Sequence, residues 1–143
     1  HTLWTNSTGD EFASCFYGLV DPATGELNFS LAGSAALLLV CGGEAEFLTT
    51  DTVPLGALPD TNYSTWQRKL LAGDVLVAMS EGVLLARDEG GLRLGETPIA
   101  TLVRRAGQLS ASDLAQRIRD LVESHCPKRA GLDRTLLVLK RRR

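Results

Sequence analysis

The apolar run Ala35–Cys41 constrains the fold more than any other feature of the sequence. Gly33 precedes the run and Gly42-Gly43 close it. A continuous apolar run between turn residues is typical of a β-strand that is buried on both faces. Such a strand needs a layer of structure on each side, either a second sheet or helices. The run is much shorter than the roughly 18 residues that span a bilayer, so no membrane-spanning segment is predicted.

Further strands are predicted on both sides of this run. Asp21-Pro22-Ala23-Thr24-Gly25 has the composition of a hairpin turn, because Pro presets φ and Gly accepts the left-handed conformation. After the turn, Leu27, Phe29 and Leu31 alternate with polar residues, as in a strand with one solvated face. The predicted strands are Ala13–Val20, Glu26–Leu31, Ala35–Cys41, Glu44–Thr49, Tyr63–Leu70 and Asp74–Met79, with Asp51–Thr61 as a loop and Ala72-Gly73 as a tight turn.

The last third of the chain has helical periodicity followed by one more strand. The first predicted helix begins at Thr97-Pro98 and ends at Gly107. The second begins at Ser110, with Asp113 three residues later, and ends before Pro127. The final predicted strand is Leu132–Leu139. Strands, two helices and a returning strand predict one α+β domain over residues 1–143.

Alternation within each predicted strand identifies the expected core. The side chains expected to be buried between two sheets, or between a sheet and helices, are Phe16, Leu27, Phe29, Leu31, Leu37, Leu39, Val75, Val77, Leu136 and Val138. Leu102, Ile118 and Leu121 are expected to cover an outer sheet face. A helix over Ala13–Val20 would contradict this interpretation.

Charge and cysteine content exclude several functional classes. A net charge of -2, from 15 basic and 17 acidic residues, gives no long-range attraction to nucleic acid or to an anionic membrane. The closing run Lys140-Arg141-Arg142-Arg143 is expected to be a solvated tail. Cys15, Cys41 and Cys126 are odd in number and widely spaced, which predicts buried free thiols and a cytoplasmic location. No signal peptide is visible, and a chain that starts at His1 is expected to be a fragment, a processed product, or to carry leader residues.

Most catalytic signatures are missing from the sequence. No Gly-x-Ser-x-Gly elbow accompanies His125, so the favoured interpretation of His125 is a helix C-terminal residue. Cys and His do not cluster at zinc-ligand spacing. The remaining candidates are Glu81, after a predicted strand, and Asp133, which enters the last strand. Carboxylates at strand ends can hold Mg²⁺ or Mn²⁺, although solvated turn residues show the same pattern.

Seven short segments occur in an order that one known family shares. They are Phe12-Ala13-Ser14-Cys15-Phe16-Tyr17-Gly18, Asp21-Pro22-Ala23-Thr24-Gly25, Leu31-Ala32-Gly33-Ser34, Pro54-Leu55-Gly56, Leu71-Ala72-Gly73-Asp74, Ser80-Glu81-Gly82 and Leu132-Asp133-Arg134-Thr135-Leu136-Leu137-Val138. From about Glu11 onward, the chain resembles the metal-dependent (PPM, type 2C-like) protein phosphatases of the bacterial sporulation stage II protein E type. The resemblance implies a PPM-phosphatase-like β-sandwich flanked by helices, with the N-terminal portion of the domain missing.

The resemblance also implies a function. Members of this family hydrolyse phosphoserine or phosphothreonine with two divalent metal ions, Mg²⁺ or Mn²⁺. Their typical substrates are phosphorylated anti-sigma-factor antagonists, so the expected role is control of an alternative sigma factor. On the same resemblance, Glu81 and Asp133 are the candidate metal ligands, no residue is assigned a catalytic role, and a homodimer is one expected assembly.

The sequence departs from the family pattern at several ligand positions. Glu81 stands in place of an aspartate, Leu132 in place of the first aspartate of a pair, and Ser34 in place of a histidine. The family's N-terminal Asp-x-Ser-Gly-His-Gly metal motif has no counterpart. We therefore expect this chain to bind Mg²⁺ or Mn²⁺ only weakly. Three interpretations stay open: part of a working phosphatase, a pseudophosphatase that binds a regulatory partner, or an unrelated α+β scaffold.

Overall fold

The computed structural model describes residues 11–126 and 133–142. Within these ranges the chain forms seven β-strands and three helices. The strands are β1 (Cys15–Val20), β2 (Glu26–Ala32), β3 (Ala36–Cys41), β4 (Glu44–Leu48), β5 (Trp66–Lys69), β6 (Val75–Met79) and β7 (Leu136–Lys140). The helices are α1 (Glu81–Leu84), α2 (Glu96–Arg105) and α3 (Ala111–His125). The predicted α+β class is confirmed, and Leu132 and Pro127 lie outside the described residues.

Two antiparallel sheets form the core of the fold. The smaller sheet has the order β1-β2-β5 and the larger has the order β4-β3-β6-β7. β7 pairs with β6, with Met79 opposite Leu136, so the last strand returns to the sheet as predicted. The helices lie on the other face of the larger sheet, since Ile99 of α2 and Ile118 of α3 belong to its buried cluster. The fold is therefore three layers, sheet on sheet on helices.

β3 is the central strand that both layers cover. Leu37 and Leu39 pack in the cluster between the two sheets. Leu38 and Val40 pack in the cluster between the larger sheet and the helices. This division follows from the alternation of side chains along a strand and confirms the prediction that Ala35–Cys41 is buried on both faces.

The helices bury one face each and confirm the expected cover of the sheet. Ser110 caps α3: its Oγ accepts a hydrogen bond from the Asp113 backbone N–H (3.1 Å) and donates one to the Asp113 carboxylate (2.7 Å). The N-cap of α2 is Gly95 and not Thr97, so that predicted boundary is wrong. Pro98 is tolerated inside the first turn because the N–H groups there have no intrahelical partner. No helix among the described residues is long and apolar enough to cross a membrane.

Several predicted boundaries and burial states differ from the structure. β5 covers only Trp66–Lys69 of the predicted strand Tyr63–Leu70. Phe16, Leu136 and Val138 are half-buried members of the predicted core, because β1 and β7 are edge strands with one neighbour each. The other seven predicted core residues are buried.

The predicted burial of all three thiols is wrong for two of them. Cys15, Cys41 and Cys126 form no disulfide with one another, as predicted, but only Cys126 is buried. Cys15 lies in the edge strand β1 and Cys41 at the end of β3, which leaves both half-exposed.

The predicted solvated tail is wrong for Lys140 and Arg141, whereas Arg142 is exposed and Arg143 lies outside the described residues. Lys140 belongs to β7, and the Arg141 backbone N–H donates to the Asp74 carbonyl (3.1 Å). The Arg141 guanidinium donates to the carbonyls of Thr24 (2.9 Å), Ala23 (3.2 Å) and Leu70. Arg141 therefore joins the β1–β2 turn to the end of β5.

The β1–β2 turn has room for this guanidinium because residue 25 is glycine. Gly25 has a φ of 78°, and a Cβ at that position would lie 1.7 Å from Nη1 of Arg141. The turn is closed from within by the Asp21 carboxylate, which accepts from the backbone N–H groups of Ala23 (2.8 Å) and Thr24 (3.3 Å). The predicted hairpin is thus confirmed, with a side-chain lock that the sequence did not indicate.

Replacing Arg141 with alanine should destabilise the protein. The substitution leaves three carbonyls without a charged donor, and we expect a loss of about 1–3 kcal/mol in the free energy of unfolding. Urea denaturation measures this change. Arg142→Ala is the matched control: Arg142 is exposed and makes no hydrogen bond with the described residues, so a change within about 0.5 kcal/mol is expected. Equal effects of the two substitutions would contradict the assigned role of Arg141.

Asp21 should make stability depend on acid pH. Hydrogen bonds from the Ala23 and Thr24 backbone N–H groups lower the pKa of the Asp21 carboxyl from its ordinary 3.8. The stabilisation is fully present above pH 3.8 and is lost as pH falls through the lower folded-state pKa. We therefore expect Asp21→Asn to be less stable than the wild type in urea at neutral pH, and the difference to shrink in strong acid. A pH-independent difference would refute this, and Asp51→Asn serves as an exposed control.

Candidate functional site

The two candidate metal ligands lie at one end of the sandwich, here called the Ser80 end. β6 finishes there, followed by Ser80 and Glu81, and β7 starts there, preceded by Asp133. The β2–β3 connection through Ser34 reaches the same end, because Ala36 at the start of β3 pairs with Met79 at the end of β6. The opposite end, here called the hairpin end, carries the β1–β2 and β3–β4 turns. Antiparallel pairing thus brings the segments around Ser34, Ser80 and Asp133 to one end, while Asp21–Gly25 and Leu71–Asp74 lie at the hairpin end.

Ser80 joins the segments that carry the two carboxylates. Its Oγ donates to the Asp133 carbonyl (3.0 Å) and accepts from the Thr135 backbone N–H (2.9 Å). Its backbone N–H donates to the Thr135 carbonyl (3.0 Å). These three bonds extend the β6–β7 pairing beyond the last paired residues and fix the backbone of Glu81 relative to that of Asp133.

The sequence predicted that Glu81 extends from the end of a strand. In the structure, Glu81 instead begins the single-turn helix α1. Ser80 is the N-cap residue of α1 but makes no side-chain capping bond. Its hydroxyl is hydrogen-bonded instead to the backbone of Asp133 and Thr135, just before β7. The backbone instead closes the turn, with the Leu85 N–H donating to the Glu81 carbonyl (2.9 Å). The Glu81 side chain is half-exposed and that of Asp133 is exposed. Neither carboxylate has a hydrogen-bond partner among the described residues, so both are available to a ligand.

Ser34, at the position of the family's histidine, is hydrogen-bonded to a second serine, Ser14. The Oγ atoms of Ser14 and Ser34 lie 3.0 Å apart, and Ser14 Oγ also accepts from the Ser34 backbone N–H (3.0 Å). This pair links the start of β1 to the β2–β3 connection. A hydroxyl so engaged with a neighbouring hydroxyl holds the loop and offers no imidazole nitrogen to a metal or proton.

The described residues do not by themselves fit a two-metal site. In residues 11–126 and 133–142 there is no group of three or more His, Cys, Asp or Glu side chains placed to share an ion. Mg²⁺ requires near-octahedral oxygen ligands at about 2.0–2.1 Å, which two exposed carboxylates do not supply. The Asp133 carbonyl, another oxygen at this end, already accepts the Ser80 hydroxyl.

Other nucleophilic groups are unsuited to catalysis. His125 lies at the end of α3, as interpreted from the sequence, with its Nε2 2.9 Å from the Leu92 carbonyl. Burial and the nearby Asp74 carboxylate raise the pKa of the Cys41 thiol to about 11, so Cys41 is protonated at neutral pH. Cys41 ends β3 at the hairpin end, away from Glu81 and Asp133.

Sequence reasoning missed the residues that organise the Ser80 end. Ser80, Thr135 and Ser14 were not predicted to act, although each carries a hydroxyl or N–H that ties two segments together. The order Ser80-Glu81-Gly82 directly after an apolar strand was a usable indication, because a serine at a strand end commonly bonds to neighbouring backbone.

The solved structures similar to this chain are bacterial phosphatase domains. The phosphatase domain of the cell fate determinant SpoIIE from Bacillus subtilis superposes with a TM-score of 0.73 at 16% identity, over 99% of this chain and 61% of that one. The RsbU and RsbW domains of a Mycobacterium tuberculosis protein give a TM-score of 0.74 at 22% identity, over 99% and 39%. The SiaA-PP2C domain of Pseudomonas aeruginosa gives 0.74 at 20% identity, over 89% and 51%. This chain therefore spans less than two thirds of each matched chain.

The sequence comparison supplies the family. No curated protein sequence matches the chain significantly. The family described as Stage II sporulation protein E (SpoIIE) matches residues 1–142. With the two-sheet fold and the gathered Ser80 end, this match confirms the resemblance seen in the sequence: the chain belongs to the SpoIIE family of PP2C-type phosphatase domains.

Proposed function

We propose that the chain is part of a protein serine/threonine phosphatase domain that acts on a phosphorylated anti-sigma-factor antagonist and so controls an alternative sigma factor. The observation that carries the proposal is the SpoIIE family match over residues 1–142, in a fold that gathers Glu81 and Asp133 at one end. Fold alone would not support a substrate, since one fold serves many functions. The substrate class rests on the family resemblance of the sequence.

Hydrolysis by such a domain requires more ligands than the described residues provide. The proposed ions are Mg²⁺ or Mn²⁺, which are bound through several oxygens. Glu81 and Asp133 contribute at most two carboxylates, and Leu132 contributes no side-chain oxygen. Glu81 is also longer than the family's aspartate by one methylene, about 1.5 Å. Activity therefore depends on carboxylates from other parts of the protein.

A second candidate is a pseudophosphatase that binds its phosphorylated partner without hydrolysing it. The observation that favours this candidate is the hydrogen bond that the Ser80 hydroxyl donates to the Asp133 carbonyl. Because of this bond the carbonyl oxygen is already engaged, and the hydroxyl does not cap α1. Glu81, held in a helical turn, and Leu132, apolar at a ligand position, fit a site that has lost its metal function. In this case the sandwich serves as a recognition surface in the same regulatory pathway.

The proposal includes a cytoplasmic location. Three cysteines that form no disulfide with one another are compatible with a reducing compartment, where cytosolic proteins keep their thiols reduced. Control of a sigma factor also requires access to the transcription machinery. The proposal also includes a homodimer as one assembly, because the edge strand β1 presents exposed apolar side chains such as Tyr17 and Leu19.

The chain by itself should bind Mn²⁺ weakly and hydrolyse phosphoserine at background rates. Two carboxylates near each other repel, and without further ligands they do not offset the hydration of the ion. Calorimetry with Mn²⁺ and a phosphopeptide assay measure both properties. Micromolar affinity together with turnover that Glu81→Ala abolishes, while Glu44→Ala at the hairpin end has no effect, would overturn this expectation.

Restoring the family's residues provides the complementary test. We expect the double substitution Glu81→Asp with Leu132→Asp to raise Mn²⁺ affinity by about tenfold or more, because a third oxygen ligand is worth at least about 1.4 kcal/mol. A single substitution, Glu81→Asp, should give a smaller gain. If the double variant binds no better than the wild type, the Ser80 end is not the remnant of a metal site.

The partner should be recognised through its phosphate. With the intact protein, we expect a pull-down to retain a phosphorylated anti-sigma-factor antagonist in preference to its unphosphorylated form. Retention with no turnover supports the pseudophosphatase, and retention with turnover supports the phosphatase. Recovery of no antagonist in either form would exclude both candidates.

A further inference from the structure

A cleft at the hairpin end lies on the opposite side of the sandwich from Glu81 and Asp133. Its walls are the tip of the β3–β4 turn, the α2–α3 connection and the residues that end β7. The cleft has a volume of about 840 Å³, within the roughly 300–1,000 Å³ of small-molecule sites. Nothing in the proposed phosphatase function uses this cleft.

The charge of the cleft is strongly positive. Arg104, Lys140, Arg141 and Arg142 line it, and Asp74 is its single acidic residue, so four positive charges and one negative charge leave a net charge of +3. Among the described residues the one ion pair is Arg68–Glu46, which is elsewhere. The exposed Asp21 feels the charge of Arg141 without forming an ion pair with it. In a chain of net charge -2, this concentration of cations is local and uncompensated.

Asp74 forms no ion pair with the cations, because both oxygens of its carboxylate accept hydrogen bonds from backbone N–H groups. It is the one buried charged residue among the described positions, at 6% exposure. One oxygen accepts from the Gly42 N–H (3.1 Å) and the other from the Leu71 N–H (2.7 Å). Its role is to close the turns that form the cleft wall.

Three of the four cations, Arg104, Lys140 and Arg141, are held by neutral carbonyls, which position them without cancelling their charge. Lys140 donates to the carbonyls of Leu109 (2.7 Å) and Gly107. Arg104 donates from Nε to the Gly43 carbonyl (2.7 Å), and its terminal nitrogens have no partner among the described residues. Arg142 makes no hydrogen bond with those residues. Arg104 is thus positioned with free donors, and the exposed Arg142 adds a second guanidinium with free donors, which suits the binding of phosphate oxygens.

The shape of the cleft favours a small ligand. Gly42 and Gly43 form one wall without side chains, and a Cβ at either position would have no atom within 4 Å. An anion can therefore approach the backbone and Arg104 closely. A protein partner would need roughly 800 Å² of matching surface, which a concave, glycine-walled cleft does not present.

We propose that the cleft at the hairpin end binds a phosphate-bearing small molecule, such as inorganic pyrophosphate or the diphosphate group of a nucleotide, through Arg104 and Arg142. Lys140 and Arg141 supply the surrounding positive potential while they hold the backbone. Because the cleft and the Ser80 end are at opposite ends of the sandwich, the proposal stands or falls independently of the phosphatase function.

Calorimetry with pyrophosphate on the intact protein tests this proposal. We expect saturable binding of one equivalent with a dissociation constant below about 1 mM at low salt, weakening as ionic strength rises. Arg104→Gln and Arg142→Gln should each raise the dissociation constant about tenfold, since each removes a charge-assisted hydrogen bond. Arg117→Gln, an exposed charge change on α3 outside the cleft, is the matched control and should leave binding unchanged.

The same titration distinguishes the sources of the ligand and the competing occupants. Tighter binding of ADP than of pyrophosphate identifies a nucleotide, and equal binding identifies the phosphate group alone. The proposal is wrong if pyrophosphate does not saturate the protein, or if all three substitutions weaken binding equally. Binding of a poly-glutamate peptide in the absence of pyrophosphate binding would also overturn it, because the cleft would then be a protein-docking surface. Thermal melts confirm that each variant is folded, and Arg142→Gln, at an exposed position, keeps the test valid if Arg104→Gln unfolds.

Discussion

The burial of β3 on both faces is the constraint on which the rest of the structure depends. A strand with Leu37 and Leu39 on one side and Leu38 and Val40 on the other cannot be stable until both sides are covered. The smaller sheet covers one side and α2 with α3 cover the other. Fully burying each of these side chains contributes about 1.5–3 kcal/mol. The layers on either side are required to keep both faces of β3 out of water.

The layered arrangement separates the molecule into two chemically different ends. Antiparallel strands bring alternate connections to alternate ends, so the segments around Ser34, Ser80 and Asp133 meet at one end while the turns at Gly25, Gly42-Gly43 and Gly73 meet at the hairpin end. The Ser80 end has two carboxylates without a hydrogen-bond partner among the described residues, and the hairpin end has four cations, three of them bonded to carbonyls. One sandwich can therefore present an acidic site and a basic site without either disturbing the other.

The sequence predicted the elements whose information is local. The apolar run before Gly42, the turn after Asp21 and the capping serine before α3 each have a short-range physical cause, and each is found in the structure. Glu81 and Asp133 were correctly placed at one end by strand order, although the helical turn at Glu81 was not foreseen. A strand-to-helix transition over four residues leaves no periodicity to detect.

What the sequence could not predict are the contacts between distant segments. Arg141 looked like part of a solvated tail because its carbonyl partners at Ala23 and Thr24 are far away along the chain. The cleft cations were missed for the same reason, since Arg104 and Lys140 line one cleft only when α2 packs on β3 and β4 and α3 packs on β7. Hydrogen bonds to carbonyls carry no sequence signature, because every residue offers the same acceptor.

The tie between Arg141 and the first hairpin has a consequence for synthesis on the ribosome. Thr24 and Arg141 are separated by 117 positions. The β1–β2 hairpin emerges early, but its turn carbonyls receive their charged donor only after the segment around residue 141 has left the exit tunnel. Until then the nascent hairpin has only its own strand pairing and the Asp21 hydrogen bonds, and the larger sheet lacks its β7 edge. These contacts between distant segments raise the contact order of the fold, and topologies dominated by such contacts fold slowly.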